Sequence, residues 1–309
     1  MFASFVIPCY RSEKTIESVV NEIDEAMRVI GKDYEIILVN DSSPDNTFSV
    51  LRRLATENEH ITAIDLAKNF GQHSALMAGM RFSKGDCVVC LDDDGQTPAN
   101  EVGKLFDKVE EGYDVVYASY EKKQHNGFRN FGSRVNDWMT RVMLGKPKEL
   151  KVTSYFVAKR FVVDDMLRYE HSYAYVIGLV LRATKRITNV PVNHRAREIG
   201  NSGYTFKKLI ALWLNGFTAF SIKPLRISTL IGGICAASGF LYGIFTVIKR
   251  LVLTDVPAGY SALMSAVVFL GGMIMLMLGL IGEYVGRIYL CMNNSPQYVV
   301  REVVTREDK

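Results

Sequence analysis

Cysteine is scarce in this chain: there are five, an odd number, without regular spacing. That excludes a disulfide framework and fits a reducing compartment. Cys87 and Cys90 form a C-x-x-C pair. On an extended strand, residues three apart point to opposite faces, so the pair reads as two small apolar groups rather than a redox or zinc couple. No G-x-G-x-x-G follows the first strand-like segment, which removes the usual signature of a nicotinamide-dependent enzyme. No export leader is expected either. Met1 to Ser4 runs straight into a strand-like segment and Pro8 falls too early for an apolar leader core, so the N-terminal domain is expected to stay unexported.

Charge is missing from two long stretches, the 22 residues Ile227 to Ile248 and the 27 residues Val256 to Gly282. At about 1.5 Å rise per residue, either one reaches across the ~30 Å hydrocarbon core of a bilayer as a helix. Both carry small residues, among them Gly232, Gly233, Ala236, Gly271, Gly272 and Gly279, which let helices approach closely in lipid. Only seven residues, Lys249 to Asp255, join the two runs, which predicts a hairpin. The expected layout is an N-terminal domain at 1–204, an amphipathic interface helix at 205–225, and a first transmembrane helix at 226–249. A short extracytoplasmic loop at 250–258, a second transmembrane helix at 259–282 and a cytoplasmic tail at 283–309 follow. Lys207, Lys208, Lys223, Arg226, Arg287 and Arg301 flank the outer ends against Lys249 and Arg250 in the loop, a bias that favours a cytoplasmic domain. Phe206 to Phe220 mixes aromatic and apolar residues with Lys207 and Lys208, as an interfacial helix or a buried connecting helix would. Glu283 is placed to pair with Arg287 one turn on and is assigned no catalytic role.

Ahead of the hairpin, strand-like and helix-like segments alternate, the pattern of an α/β domain with a mostly parallel sheet. Strands are expected at Ala3 to Pro8, Glu35 to Asn40, Ile61 to Leu66, Cys87 to Leu91 and Asp114 to Ala118. Helices are expected at Lys14 to Ile30, Asp45 to Glu57, Gln72 to Phe82 and Pro98 to Glu110; in the first, Ile16, Val19, Val20, Ile23, Met27 and Ile30 keep a helical period. In such sheets functional residues collect at the carboxyl ends of the strands. Asp41 falls at one such end and Asp92-Asp93-Asp94 at another. Three crowded carboxylates repel one another, and a hard divalent cation with oxygen ligands relieves that repulsion, particularly one that also holds phosphates. A solvated acidic turn is the plain alternative.

These segments resemble the GT-A nucleotide-sugar glycosyltransferases of family 2. The likeness rests on Ile7-Pro8-Cys9-Tyr10 with Thr15-Ile16, Val39-Asn40-Asp41-Ser42-Ser43 with Asp45 and Thr47, and Asn69-Phe70-Gly71-Gln72. It rests also on the D-x-D of Asp92 and Asp94 with Gln96 and Pro98. Arg197, Gly200, Ser202 and Tyr204, then Gly216-Phe217 and Ser221 to Arg226, are similar to the C-terminal signature of the polyprenyl-phosphate branch. That branch holds dolichol-phosphate mannose synthases and bacterial undecaprenyl-phosphate glucosyltransferases, the latter with two C-terminal transmembrane helices.

The resemblance implies a GT-A domain and a set of site residues. Asp94 with Asp92 would bind Mg²⁺ or Mn²⁺ and offset the charge growing on a departing diphosphate. Gln96 would lie close to that ion; a loop amide in solvent is the plain alternative. Asp41 would accept a hydrogen bond from the nucleobase, while an N-cap or Asx-turn explains an aspartate there on propensity. Pro8, Tyr10 and Glu13 would form the other wall around the base; Pro8 and Tyr10 also suit strand-end packing. Asp93 has no assigned role beyond holding a backbone turn.

A lipid phosphate acceptor is already ionised at neutral pH, so a general base is not obligatory and cationic positioning is what the site must supply. Asn126 to Leu144 offers Arg129, Ser133, Arg134 and Arg141. Arg129 and Ser133 lie one helical turn apart, and the resemblance implies that such a pair contacts the lipid phosphate; a basic helix facing anionic lipid is the alternative for Arg134 and Arg141. Two departures bear on donor choice. Relatives with an arginine after the fifth strand are met here by Ser119-Tyr120-Glu121, leaving Lys122 or Lys123 to substitute. Where some relatives carry an aspartate before Phe-Arg, this chain has Ser154-Tyr155-Phe156, a neutral partner.

The expected activity is inverting transfer of one hexose, UDP-linked, to undecaprenyl phosphate at the bacterial inner membrane, with the catalytic domain cytoplasmic. The expected partners are the nucleotide-sugar donor, the lipid acceptor, the membrane and further copies of the chain, a tetramer by resemblance; nucleic acid is not among them. A processive polysaccharide synthase of the same fold is disfavoured because neither Trp138 nor Trp213 sits in a Q-x-x-R-W motif and two spans are too few for a polymer channel. A non-catalytic nucleotide-sugar-binding membrane protein is disfavoured by the intact D-x-D.

Overall fold

The structure, a computed structural model, describes residues 1–120, 141, 145–172, 174–193, 223–252, 259–293 and 295–306. Arg129, Ser133, Arg134, Lys122, Lys123 and the interface segment 206–220 lie outside the described residues. The chain divides into two compact units, Met1–Trp213 with Asn294–Lys309, and Leu214–Asn293.

The first unit is an α/β domain built on one eight-stranded sheet in the order β7-β5-β6-β4-β1-β2-β3-β8. Its strands are β1 (Ala3–Cys9), β2 (Tyr34–Asn40), β3 (Ile61–Leu66), β4 (Cys87–Cys90), β5 (Val115–Tyr120), β6 (Phe156–Lys159), β7 (Ile187–Val192) and β8 (Val300–Val304). Six run one way, and β6 and β8 are antiparallel to their neighbours. The helices are α1 (Ile16–Ile30), α2 (Thr47–Glu57), α3 (Gln72–Phe82), α4 (Val102–Glu110), α5 (Arg160–Leu167) and α6 (Val176–Ala183). The segment expected as one helix from Pro98 opens instead with a 3₁₀ turn, Ala99–Glu101, before α4.

β1 and β4 are buried throughout, as central parallel strands covered on both faces must be. α1 buries Ile16, Val19, Val20, Ile23, Ala26 and Met27 and stops at Gly31, which takes the left-handed conformation (φ 70°) and returns its N–H to the Met27 carbonyl. One face of the sheet, with Phe5, Ile7, Leu38, Cys87 and Val89, packs against α1, α2 and α4. Cys90 is buried outside that cluster, so the two cysteines of the C-x-x-C do point to opposite faces. On the other face α3 lies so close that a Cβ on Gly79 would stand 2.4 Å from Val6 Cγ1 and 3.0 Å from Val39 Cγ2. Because β1, β2, β3 and β4 are mutually parallel, their carboxyl ends put Tyr10, Asp41 and Asp92 at one edge of the sheet.

The last strand was not legible from the sequence. After the long helices, residues 295–304 come back to the α/β unit and β8 pairs with β3. Ser172 Oγ donates to the Ser295 carbonyl (2.8 Å), and the Gln297 amide donates to the carbonyls of Tyr169 and His171 (3.1 and 3.0 Å). Arg301 donates to the buried Asp65 carboxylate (2.9 Å) and to the Ala67 carbonyl (2.7 Å). Asp65 also accepts from the Asn40 amide (2.7 Å), so a hydrogen-bonded line runs from the tail to the end of β2.

The second unit holds two long helices, α7 (Lys223–Val252) and α8 (Tyr260–Met292). Gly232 on α7 leaves room for Met277 of α8, whose methyl would stand 3.2 Å from an added Cβ. Within α8, Phe269–Gly286 is long and apolar enough to cross a membrane, and none of it is buried. On α7 the apolar stretch Ser228–Gly239 is shorter.

Candidate active site

Two loops at the carboxyl edge of the sheet hold residues with left-handed backbone: Arg11 (φ 60°) after β1 and Ser42 (φ 51°) after β2. Non-glycine residues rarely adopt this conformation, which costs roughly 1–2 kcal/mol each and persists where surrounding contacts enforce it. Those contacts are present. Arg11 N–H donates to Ser43 Oγ (3.0 Å), Ser12 N–H to Thr47 Oγ1 (2.9 Å), and Ser43 N–H to the Asn40 side-chain oxygen (3.2 Å). The two loops are thereby stitched together. Tyr10 at their rim is 46% exposed, its ring 5.6 Å from the Arg11 guanidinium carbon. Pro8 is buried within β1 opposite Val39. Glu13 accepts the backbone N–H of Asn46 (3.2 Å), which braces the start of α2.

Asp41 is neither an N-cap nor an Asx-turn, the two local explanations for an aspartate after a strand. Its buried carboxylate crosses to the loop after β3 and accepts the N–H groups of Phe70 (2.7 Å) and Gly71 (2.8 Å). The Asn69 amide returns a bond to the Asp41 carbonyl (3.1 Å). Burial raises the pKa of Asp41, and the two N–H donors oppose that rise.

The three aspartates after β4 have separate partners. Asp92 accepts from Gln72 Nε2 (2.9 Å), at the first position of α3, and from the Ser154 hydroxyl. Its pKa is pushed up to about 6, first by burial and then by the charges of Asp94 and Asp93, against the two hydrogen bonds. Asp93 turns to the loop after β1, where its Oδ2 accepts from Tyr10 N–H (3.0 Å) and the Ser12 hydroxyl. Asp94 accepts the Gln96 N–H (3.1 Å) around Gly95, whose φ of 71° makes the tight turn possible. The structure thus brings Asp92 to Ser154, Asp93 to Tyr10 and Asp94 to Gln96; it gives no direct bond between Asp41 and the triplet.

Among the described residues no three His, Cys, Asp or Glu side chains gather as a ready-made metal cage. The donor chemistry still suits a hard cation. Asp92 and Asp94 are carboxylates close enough to raise the pKa of Asp92, a repulsion that a bound Mg²⁺ or Mn²⁺ would remove. An ion held by one or two carboxylates takes its other oxygens from water and from a phosphate ligand, which is how Mg²⁺ is usually bound.

Several neighbours escaped sequence reasoning. Gln72 lay inside the Asn69-to-Gln72 motif, yet nothing local marked it as a partner of Asp92. Ser154, noticed as a departure from relatives, turns out to donate to Asp92, where an ionised aspartate would have added another negative charge. Ser12 gave no signal. His73, next to Gln72, packs edge-on against Tyr175 (5.3 Å between ring centres); its Nδ1 is shut from solvent without a hydrogen-bond partner, and desolvation lowers its pKa to about 4.

Solved structures similar to this chain include glucosyl-3-phosphoglycerate synthase of Mycobacterium tuberculosis, at TM-score 0.51 and 18% identity over 68% of this chain and 76% of that one. The same enzyme in complex with Mn²⁺, uridine diphosphate and phosphoglyceric acid gives TM-score 0.52 and 19% identity over 68% and 74%. At that identity the likeness is one of fold, the GT-A arrangement of a mostly parallel sheet. Residues 223–288 match the GtrB C-terminal hairpin. Residues 4–167, more than half of the chain, match glycosyl transferase family 2, and the protein belongs to that family.

Proposed function

We propose that this family 2 glycosyltransferase is an inverting, membrane-anchored enzyme that moves one hexose from a UDP-linked donor to undecaprenyl phosphate, giving a lipid-monophosphate sugar. The observation that carries the reading is the joining, in one chain, of a family 2 domain with its D-x-D at the sheet edge and a hairpin matching the GtrB C-terminal hairpin. The long apolar surfaces of that hairpin support a membrane-embedded anchor, with residues 226–249 and 259–282 as spans and the catalytic domain on the cytoplasmic side of a bacterial inner membrane. Residues 205–225 would lie in the interface, and self-association into a tetramer would pack the small-residue faces of the spans.

In the reaction an oxygen of the lipid phosphate attacks the anomeric carbon as the bond to the nucleoside diphosphate breaks, with inversion. Asp94 and Asp92 would hold Mg²⁺ or Mn²⁺, which when bound offsets the charge on the departing diphosphate. Gln72 and Ser154 fix the Asp92 carboxylate by donating to both of its oxygens, and keep it ready as an anion despite its burial. Tyr10 would lie along the face of the uracil. Asp41 has a second lone pair on each oxygen for a base N–H while it holds the Phe70-Gly71 loop. Pro8 and Glu13 support that wall from the strand and from the start of α2. Arg129 and Ser133 are assigned to the acceptor phosphate. That phosphate needs no base to remove a proton at neutral pH.

The test is direct: purified protein in detergent with undecaprenyl phosphate, Mg²⁺ or Mn²⁺, and a panel of UDP-, GDP- and dTDP-sugars, with glycolipid detected by mass spectrometry. A UDP-hexose is expected to give product, and Asp94→Ala to give none. Absence of glycolipid with every donor, or an Asp94→Ala variant as active as the parent, overturns the assignment.

A further inference from the structure

We propose that Asp93, the middle residue of the triplet, is a positioning residue that fixes the nucleobase wall to the metal-binding loop. The inference rests on the nucleotide role given above to Tyr10. One oxygen of Asp93, Oδ2, accepts from Tyr10 N–H (3.0 Å) and from the hydroxyl of Ser12. These two residues bracket Arg11, the non-glycine residue with φ 60°. The carboxylate therefore clamps both ends of a turn that would otherwise relax out of its left-handed conformation. From Ser12 and Arg11 the bonding passes to Thr47 and Ser43, in the loop after β2. Asp93 is thus the point at which the loop after β4 is tied to the loops after β1 and β2.

Charge and geometry set Asp93 apart from its neighbours. The Oδ2 of Asp93 is committed to donors of the loop after β1, whereas the Asp92 and Asp94 carboxylates meet Gln72, Ser154 and Gln96 instead. Asp93 aims at backbone and hydroxyl donors of a different strand end, 83 residues away in sequence from Tyr10. Its contribution should therefore appear in nucleotide affinity and leave metal affinity unchanged.

The measurement is UDP binding to the full-length protein in detergent at saturating Mn²⁺, with the Mn²⁺ midpoint determined at fixed UDP. Asp93→Ala is expected to weaken UDP about tenfold with the Mn²⁺ midpoint unchanged within twofold. Asp93→Asn keeps an acceptor oxygen and is expected within about threefold of the parent, a rescue that a role for the negative charge would not give. Ser12→Ala alone should cost about threefold, and adding it to Asp93→Ala should cost nothing further, because the two act through one bond. Parent-like UDP affinity in Asp93→Ala overturns the inference and leaves the enzymatic reading standing. A tenfold shift of the Mn²⁺ midpoint also overturns it, by making Asp93 a metal ligand. Failure of the parent to bind UDP removes the reading on which it rests. If Asp93→Ala does not fold, Ser12→Ala and Asp93→Asn decide: parent-like UDP affinity in Ser12→Ala, or a tenfold loss in Asp93→Asn, sinks the clamp.

Discussion

Leucine and isoleucine meet opposite fates in the two units. In the α/β unit Ile23, Leu38 and Leu51 are fully buried, whereas in the helical unit Leu241 and Leu276 are each 65% exposed and Met275 is 70% exposed. Composition alone does not separate them; pattern does. α1 keeps its apolar residues on one stripe and covers it with the sheet, while α8 carries no charge on any side over Phe269–Gly282. One unit supplies its own cover. For the other, lipid is the cover we propose. Under the proposed function the roles divide the same way, with polar chemistry on the first unit and anchoring on the second.

The strongest test of that division is to remove chemistry without touching the anchor. Asp92→Ala is expected to lower transfer by about a thousandfold, in the range seen when charge stabilisation at a leaving group is lost, while the protein stays in the membrane fraction. Retained activity would break the contrast. The converse is a charge in the middle of α8: Leu278→Arg, at an exposed position, should cost about 2.5–3.5 kcal/mol of insertion and deplete the membrane fraction, with UDP binding by the α/β unit intact. Fractionation and a UDP titration on the same preparation read both.

Packing offers a finer comparison. Gly79→Ala forces a methyl into 2.4 Å contact with Val6 and should cost about 1–3 kcal/mol, lowering Tm by several degrees. At Gly272 nothing beyond its own stretch of helix lies within 4 Å of the added carbon, so Gly272→Ala should not lower Tm. Equal effects would mean that the helical unit is as closely covered as the sheet. The tail tests whether β8 truly belongs to the α/β unit. Arg301→Ala strips a donor from buried Asp65, and because Arg301 is itself more than half exposed the expected cost is about 1 kcal/mol.

The smallest effect concerns acid. All five histidines lie in the α/β part of the sequence, and the folded pKa of His73 is lowered to about 4 by desolvation. A histidine whose folded pKa lies below its unfolded value of ~6.5 leaves the unfolded chain binding more protons between those limits, so its contribution to stability is full above about pH 6.5 and is lost as pH falls toward 4. At pH 6 the loss should be under about 1 kcal/mol. His73→Phe should flatten the fall in Tm between pH 7 and pH 5; an unchanged slope would show that the imidazole is not desolvated.

Much of the β1–β4 half of the sheet was legible because each piece is local. β3 and α3 fall at Ile61–Leu66 and Gln72–Phe82, the limits that apolar pattern and turn residues predict. β6 escaped because it has four residues, Phe156–Lys159, and its place between β4 and β5 depends on antiparallel partners such as Cys90, far away in sequence. β8 escaped because its partner β3 precedes the whole hairpin. At the candidate site the same limit applies. Asp41 and the triplet stand out by position at strand ends, but Ser154 is 62 residues from Asp92 and Ser12 is 81 from Asp93.

By itself the sequence determined what depends on neighbours along the chain: the alternation of strand and helix, the two uncharged runs, and which carboxylates end up at the sheet's carboxyl edge. The roles within the triplet were decided only by tertiary structure. Which oxygen meets Gln72, Ser154 or Tyr10 follows from the closure of a sheet over separations of 20 to 83 residues. Periodicity is a property of backbone geometry and is written into every few residues. A hydrogen bond between distant loops exists only once packing has fixed both ends, and it was packing that separated Asp93 from the two aspartates beside it.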